Sequence, residues 1–509
     1  MPGNARSASV TEEGAPNPWI NRHGNVSQVY DKLYSIVNPP APNSFGDLQL
    51  TVAALQGLIA GAIADGKTIR AIGGGWSLSS AAVTDGVLVD TLGLNSYFPV
   101  VAANVVPAYA GNPAYLMYLQ CGMTIKQAND VLFGQTTQLA LKTSGASNGQ
   151  TIAGATATGT HGSRNQFGST QDFVVGMHIL TGPTSAIWLE RASYPVLSDL
   201  LINGLGATLV RDDALFNSAL VSFGSFGIIH GMLIEADPLY LLEVTRVRMP
   251  LQDRLRTAMQ TLDVSGIPTP HPGEQPFHFE VVINPHDIGG GAYVTTMYRR
   301  DYTPDYPRPA LSPSGMGPGD DVLSIMGDVT DRLPELTGAL VNLIVPAEYP
   351  LMDRVLGTPS EIFSSSFTYQ KEMSTEIGVA LADSVRTLDV LASLPEVNDY
   401  PGLLAFRWVK GSSAVLAFTR FATTCTIELP AAYSDDTANY YTAVWNALDA
   451  AGIPYTLHWG QMNKFSPARI RKMYGDAAVN RWIASRTRLL NAPSQAAFTS
   501  PFLQQCGLG

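Results

Sequence analysis

The sequence predicts an α+β chain in two parts. Up to residue 235, short β-type runs alternate with helical ones; beyond residue 241 the β runs lengthen and follow one another, the pattern of an antiparallel sheet with helices. At 509 residues the chain exceeds one compact core, so two or three domains are expected.

Residues 48–65, LQLTVAALQGLIAGAIAD, are apolar with alanine and no proline and predict a helix. A short strand at 68–72 runs into Gly73-Gly74-Gly75, and strands follow at 87–91 and 115–120. Thr124 has the character of an N-cap for a helix reaching 133. A strand at 173–181, a helix at 214–221 and a glycine-broken strand at 223–235 complete the first part. In the second part, strands are expected at 242–249, 278–283, 292–298, 403–408, 414–421 and 424–429. Helices are expected at 254–262, 375–394 and 440–451, and the Pro- and Gly-rich residues 300–320 predict a loop.

Composition narrows the function. Apolar residues make up 45% and charged residues 14%, and the net charge of −11 makes nucleic acid an unexpected partner. No run of 18 apolar residues suggests a membrane span. The opening MPGNARSASVTEEGAPNPW has no apolar core of a secretory signal and is expected to form a loose tail over 1–30. Cys121, Cys425 and Cys506 are widely spaced with no CxxC pair, which fits a reducing, cytoplasmic compartment better than a disulfide framework or a zinc ribbon.

Glycine carries the strongest signal. Residues 143–163, TSGASNGQTIAGATATGTHGS, hold five Gly and four Ala, and their only bulky side chains are Ile152 and His161. A second tight loop, Gly73-Gly74-Gly75-Trp76-Ser77, lies upstream. Such loops let a backbone approach a large flat object and offer N–H donors to a diphosphate.

The two loops resemble the PCMH-type FAD-binding module of the vanillyl-alcohol oxidase superfamily, nearest its alditol, sugar-lactone and type II cholesterol oxidases. In that family a GGGHS-like loop holds the diphosphate, and a segment ending in ATGTHG, here Ala157-Thr158-Gly159-Thr160-His161-Gly162, lies along the flavin. Asn21 and Gly24-Asn25 in WINRHGN, the segment SFGSFG at 222–227, and His458-Trp459-Gly460 match three further family segments. The resemblance implies an FAD-binding domain at 31–238, an α+β substrate (cap) domain on an antiparallel sheet at 239–445, and a return to the first domain at 446–509. It implies cofactor contacts at Gly73, Gly74, Gly75, Trp76, Ser77, Ser144, Gly145, Gln150, Thr151, Gly154, Thr158, Gly159, His161, Gly162, Ile228, Asn463 and Lys464. Relatives that bind flavin covalently use a histidine where this chain has Trp76, or a cysteine that 143–163 lacks, so noncovalent FAD is expected. Gly145 aligns near the reactive flavin carbon, where a small residue leaves room for dioxygen. His161 reads as a packed ring hydrogen-bonded to backbone or cofactor, since no second His stands at ligand spacing and no metal is expected.

In alditol oxidases a Glu-x-Arg pair, a His-x-Thr pair and a Lys after HWG surround the substrate. This chain has Ala405-Phe406-Arg407, Thr426-Ile427-Glu428 and Gln461 there, so the arginine stays and most of the polyol-binding set is gone. The candidates are Arg407 as charge stabiliser, Glu428 as base and Gln461 as a contact, with Tyr369 and Gln370 in FTYQKEM facing the pocket and Glu280 as a further carboxylate. The implied reaction is hydride removal from a CH–OH group to flavin N5, with dioxygen reduced to hydrogen peroxide, on a small-molecule donor other than a simple sugar alcohol. An apolar second domain leaves room for a hydrophobic donor. The alternatives are a biosynthetic tailoring flavoenzyme, such as an oxidative cyclase or dehydrogenase, and a flavoprotein that binds a ligand without redox chemistry.

Overall fold

The computed structural model describes residues 7–14, 17–40, 45–309, 334–363 and 372–509. The fold is α+β, as expected. Three sheets carry it. A four-stranded sheet runs Ser9–Glu12, Lys32–Val37, Val87–Gly93, Ile69–Ile72, and the last three strands are parallel. A six-stranded sheet runs Thr208–Arg211, Ser185–Glu190, Val174–Gly182, Ile228–Glu235, Leu116–Gln120, Tyr97–Pro99. An eight-stranded, wholly antiparallel sheet builds the other half, in the order Met352–Gly357, Tyr240–Met249, Ala292–Asp301, His278–Ile283, Leu404–Lys410, Thr423–Ala432, Glu372–Ala380, Tyr455–Leu457.

Local chemistry explains the elements that frame the site. The helix Phe45–Ala64 buries Leu48, Val52, Leu55, Ile59 and Ala62, a stripe at helical spacing that binds it into the core. Its stretch 46–64 is long and apolar enough to cross a membrane by length and composition, although polar residues interrupt the apolar run. The helix Ile125–Phe133 starts at a capping box: Thr124 Oγ1 accepts from the Gln127 N–H while Gln127 Oε1 accepts from the Thr124 N–H.

Three expectations are corrected. Residues 375–394 are not one helix; Glu372–Ala380 is an interior strand, and the helix Ser384–Ser393 follows. The strand is buried along nearly its whole length, so it lacks the alternation that marks a half-buried strand, and tertiary pairing overrides local preference. Residues 414–421 are not a strand. Ala414, Leu416, Ala417 and Phe418 are buried, but the backbone closes on itself (Ala417 N–H to Ala414 O, 3.1 Å) and on Asn217 O (from Val415 N–H, 2.9 Å). The opening residues are no loose tail from Ser9 on: Ser9–Glu12 pairs with Lys32–Val37 through a strand that is exposed throughout and so has no apolar signature.

The C-terminal helices Pro467–Tyr474 and Asp476–Leu489 pack back on the first half. Trp482 Nε1 donates to Val221 O (3.0 Å), Arg486 Nε to Ser225 O (2.9 Å), and the Tyr474 ring stacks on Trp459 at 5.7 Å.

Candidate functional site

Four separate stretches of sequence converge on one cavity. The loop Gly73–Ser77 and the segment at 150–160 both line it. A Cβ at Gly73 would overlap Thr151 Oγ1, one at Gly74 would lie 2.5 Å from Gly149 O, and one at Gly149 would lie 2.5 Å from the Trp76 ring. These glycines therefore let the two loops interlock, and Gly75, at φ +69°, makes the turn. The N-terminal segment anchors the first loop: Arg22 N–H donates to Gly75 O (2.9 Å), Asn21 Nδ2 to Ser77 O (2.9 Å) and Asn25 Nδ2 to Leu78 O (2.8 Å). The HWG segment closes it from the other end of the chain, with Gly460 O accepting from Leu78 N–H (2.7 Å) and Trp459 O from Ser79 Oγ (2.6 Å). The turn at Phe223-Gly224 supplies the fourth wall.

The cavity has an empty volume of about 1120 Å³, counting the space at its mouth that is open to solvent. Among its lining are Trp19, Arg70, Gly73, Gly74, Gly75, Trp76, Ser77, Thr91, Cys121, Gln150, Thr151, Gly154, Thr158, Phe223, Ile229, His458 and Gln461. Of the expected cofactor contacts, the five loop residues with Gln150, Thr151, Gly154 and Thr158 line it, as does Gln461 from the expected catalytic group. Ser144, Gly145, Gly159, His161 and Gly162 lie outside that lining. Ile228 is buried in the core and its neighbour Ile229 faces the cavity instead. Asn463 Nδ2 turns back to Gln461 O (2.8 Å), and Lys464 reaches Thr442 Oγ1 (2.9 Å) at the surface. Tyr369 and Gln370 lie outside the described residues.

The lining fits a polar dinucleotide. Arg70 Nη1, Trp76 Nε1, Gln150 Oε1 and Gln461 Oε1 are buried without a hydrogen-bond partner among the described residues, and all four side chains line the cavity. Buried polar atoms left unmet are costly, so these groups ask for an occupant with both donors and acceptors.

Beyond the cavity, side chains line up on one face of the eight-stranded sheet. Glu376 stands opposite Glu428, Glu428 opposite Ala405, Arg407 opposite Glu280, Glu280 opposite Thr295, and Thr295 opposite Arg246. The period of two puts Ala405 and Arg407 on the same face, so the row is continuous. Arg407 pairs with Glu428 and approaches Glu376 at 3.5 Å. Glu376 Oε1 meets His161 Nε2 at 2.9 Å. The His161 ring lies 5.9 Å from that of His458, which lines the cavity, and Phe418 packs beside both. Glu376 was missed in the sequence because the expected helix at 375–394 hid its strand; the SFTYQKEMSTE neighbourhood held no other signal.

The two carboxylates are pushed apart. Burial alone would raise Glu376, but His161, Arg407 and His458 outweigh it and hold the carboxyl below the usual range. Burial raises Glu428, Arg407 opposes, and the nearby Glu376 charge adds to the rise. Arg407 is held more firmly protonated than usual, since Glu428, Glu376 and Glu280 outweigh its burial. Burial pulls His458 down to about 4, and its Nδ1 accepts from Gly460 N–H at 3.1 Å, which leaves the ring neutral with its proton on Nε2. Carboxyl groups driven apart in this way divide acid–base roles between them.

A family described as "FAD binding domain" matches residues 50–189. The chain is 26% identical over 446 residues, 86% of its length and 90% of the relative's, to L-gulono-1,4-lactone dehydrogenase of Mycobacterium tuberculosis (strain ATCC 25618 / H37Rv). It is 27% identical over 244 residues, 48% of its length and 38% of the relative's, to D-arabinono-1,4-lactone oxidase of Kluyveromyces lactis. Its fold is similar to that of the cholesterol oxidase from B. sterolicum, with a TM-score of 0.66 over 98% of this chain and 97% of the other at 12% identity.

Proposed function

We propose, from the chain's membership of the PCMH-type FAD-dependent oxidoreductases, that it oxidises the CH–OH group of a small molecule and passes the electrons to dioxygen. Bound FAD supplies the hydride acceptor and the route by which two electrons reach dioxygen. The net reaction takes a CH–OH donor and O2 to the carbonyl product and H2O2.

Glu428 receives the hydroxyl proton. Burial raises its carboxyl above its ordinary value, and it lies beside a fixed cation, the combination a general base needs. Arg407 steadies the negative charge that develops on the donor oxygen. Glu376, held ionised, ties Arg407 to His161 and so joins the sheet to the segment that borders the cavity. The observation that carries this reading is the Arg407–Glu376–His161 chain, which links the one arginine expected from sequence to the ring of His458, 5.9 Å from that of His161 and part of the cavity lining.

The donor class follows from the same face. Arg246, Thr295, Glu280, Arg407 and Glu428 form a polar row, which favours a donor with several oxygens over a sterol. Sugar-lactone relatives support that class, and the changed polar set separates it from simple sugar alcohols. FAD is held noncovalently: Trp76 cannot form the histidyl link, and burial raises the lining thiol of Cys121 to about 12, too high to be a thiolate nucleophile.

Anaerobic mixing of the yellow protein with lactones, polyols and sterols tests the donor class. Bleaching by lactones with peroxide release on readmitting air is expected. No bleaching by any oxygen-rich donor would sink the proposal, and colour that stays on acid-denatured polypeptide would refute noncovalent binding.

A further inference from the structure

We propose that Arg70, with the turn at Phe223-Gly224, forms an anion subsite inside the cavity that holds a phosphate group of the bound dinucleotide. The inference rests on the reading of this cavity as the FAD site.

Arg70 lies on the strand Ile69–Ile72, immediately before the glycine loop, and is 3% exposed. Its Nη2 donates to Ala81 O, while Nη1 has no partner among the described residues and the side chain lines the cavity. No carboxylate among the described residues pairs with it. The charge that acts on it is another cation, Arg486, whose partners are the uncharged oxygens of Ser225, Gln495 and Thr499. Burial, then Arg486, pulls the Arg70 guanidinium down to about 9, and burial pulls Arg486 down to about 10.

Two buried guanidinium groups without an anion are an unfavourable arrangement in a folded protein. The backbone around them is shaped to keep one of them accessible. Gly224 has φ +67°, and a Cβ there would stand 3.2 Å from Arg70 Nη1. Phe223 takes φ 52°, a left-handed conformation that a bulky residue rarely adopts. Both residues line the cavity together with Arg70. A guanidinium is the group that meets phosphate oxygens with paired N–H donors, and a diphosphate is the charged part of this cofactor.

Displacement of FAD from the holoprotein, followed by the fluorescence of the released flavin, tests the subsite without an activity assay. In the parent protein ADP should displace FAD at about a hundredfold lower concentration than adenosine, and inorganic pyrophosphate should displace it too. Arg70→Gln should shrink the ADP-to-adenosine preference about tenfold or more, and Arg70→Lys should keep part of it. If Arg70→Gln yields no folded holoprotein, Arg70→Lys and pyrophosphate displacement from the parent decide. An unchanged preference in the variants, or a parent that prefers ADP no more than adenosine, overturns the subsite. A parent protein that takes up no FAD overturns the cavity assignment itself.

Discussion

The two halves of the molecule build their chemistry from different material. The cofactor half works with backbone. Its loops at 73–77 and 149–154 interlock because Gly73, Gly74 and Gly149 carry no Cβ where Thr151, Gly149 O and the Trp76 ring come close, and its anchors are main-chain carbonyls that accept from Asn21, Arg22, Asn25 and Leu78. The sheet half works with side chains. Glu376, Glu428, Arg407 and Glu280 come from four strands spread over residues 280–428 and meet only through register. Backbone sites demand glycine at fixed spacing and leave a contiguous signature. Side-chain sites demand only a suitable residue on the right face, so their signature is scattered.

Substitutions test this contrast. The largest effect is expected at Gly74→Val, whose side chain would press on Gly149 O; about 3 kcal/mol of stability and most of the bound flavin should be lost. The ratio of flavin to protein absorbance and a thermal melt measure both. A yellow, stable Gly74→Val protein would show that the loops do not need to interlock.

Glu376→Ala should leave flavin content near normal but slow flavin reduction about a hundredfold, and cost about 3 kcal/mol by stripping a buried charge from His161 and Arg407. Stopped-flow reduction alongside a melt checks it; flavin loss in step with activity would erase the division between the halves.

Acid should act on both halves. His178 and His230 are buried in the cofactor half, in contact at 3.2 Å, and burial pulls His178 to about 4 and His230 well below its ordinary value. The unfolded chain takes up protons near pH 6.5 and the folded chain does not. Stability is therefore full above pH 6.5, falls as pH drops, and for His178 levels off near 4 after a loss of about 3 kcal/mol. His278 and His458, also held near 4 by burial, add the same sign in the sheet half. Denaturant melts between pH 7 and 4.5 should show the slope, and His178→Phe should flatten it; an unchanged slope assigns the loss elsewhere.

Gly145→Ala is a smaller step, because a Cβ would meet the Thr160 methyl at 3.2 Å and the neighbour need give only slightly. An effect of about twofold on flavin reoxidation is expected, with stability changed by under about 1 kcal/mol. A rise or fall well beyond that would return Gly145 to the oxygen path. Lys464→Ala, at an exposed side chain bonded to Thr442, should change stability by no more than about 0.5 kcal/mol and flavin content not at all.

Legibility follows the same division. Gly73-Gly74-Gly75, Thr151 and Gly154 were readable because they are adjacent and their residue types have few alternatives. Arg407 and Glu428 are readable as candidates only through the resemblance, at the positions where alditol oxidases carry their Glu-x-Arg and His-x-Thr pairs. Glu376 was not, since its strand is buried on both faces and reads as a helix. Residues 414–421 misled in the opposite direction: their apolar character serves to place Phe418 against His161 and His458, and burial alone does not make a ladder. Arg70 reads in the sequence as one ordinary residue of a short strand, because nothing in the linear text shows that its guanidinium has no carboxylate partner among the described residues.

The seam between Leu78-Ser79 and Trp459-Gly460 has a consequence for how the protein is made. One wall of the cofactor site emerges from the ribosome 380 residues before the opposing wall, so a nascent chain arrested before residue 455 has both glycine loops and no closed site. Flavin uptake then records synthesis past Gly460, and a product truncated before that residue is expected to be colourless. Ribosome-bound chains of graded length, probed for flavin retention, should gain it in a single step once residues 458–461 clear the exit tunnel; gradual gain over shorter lengths would contradict this.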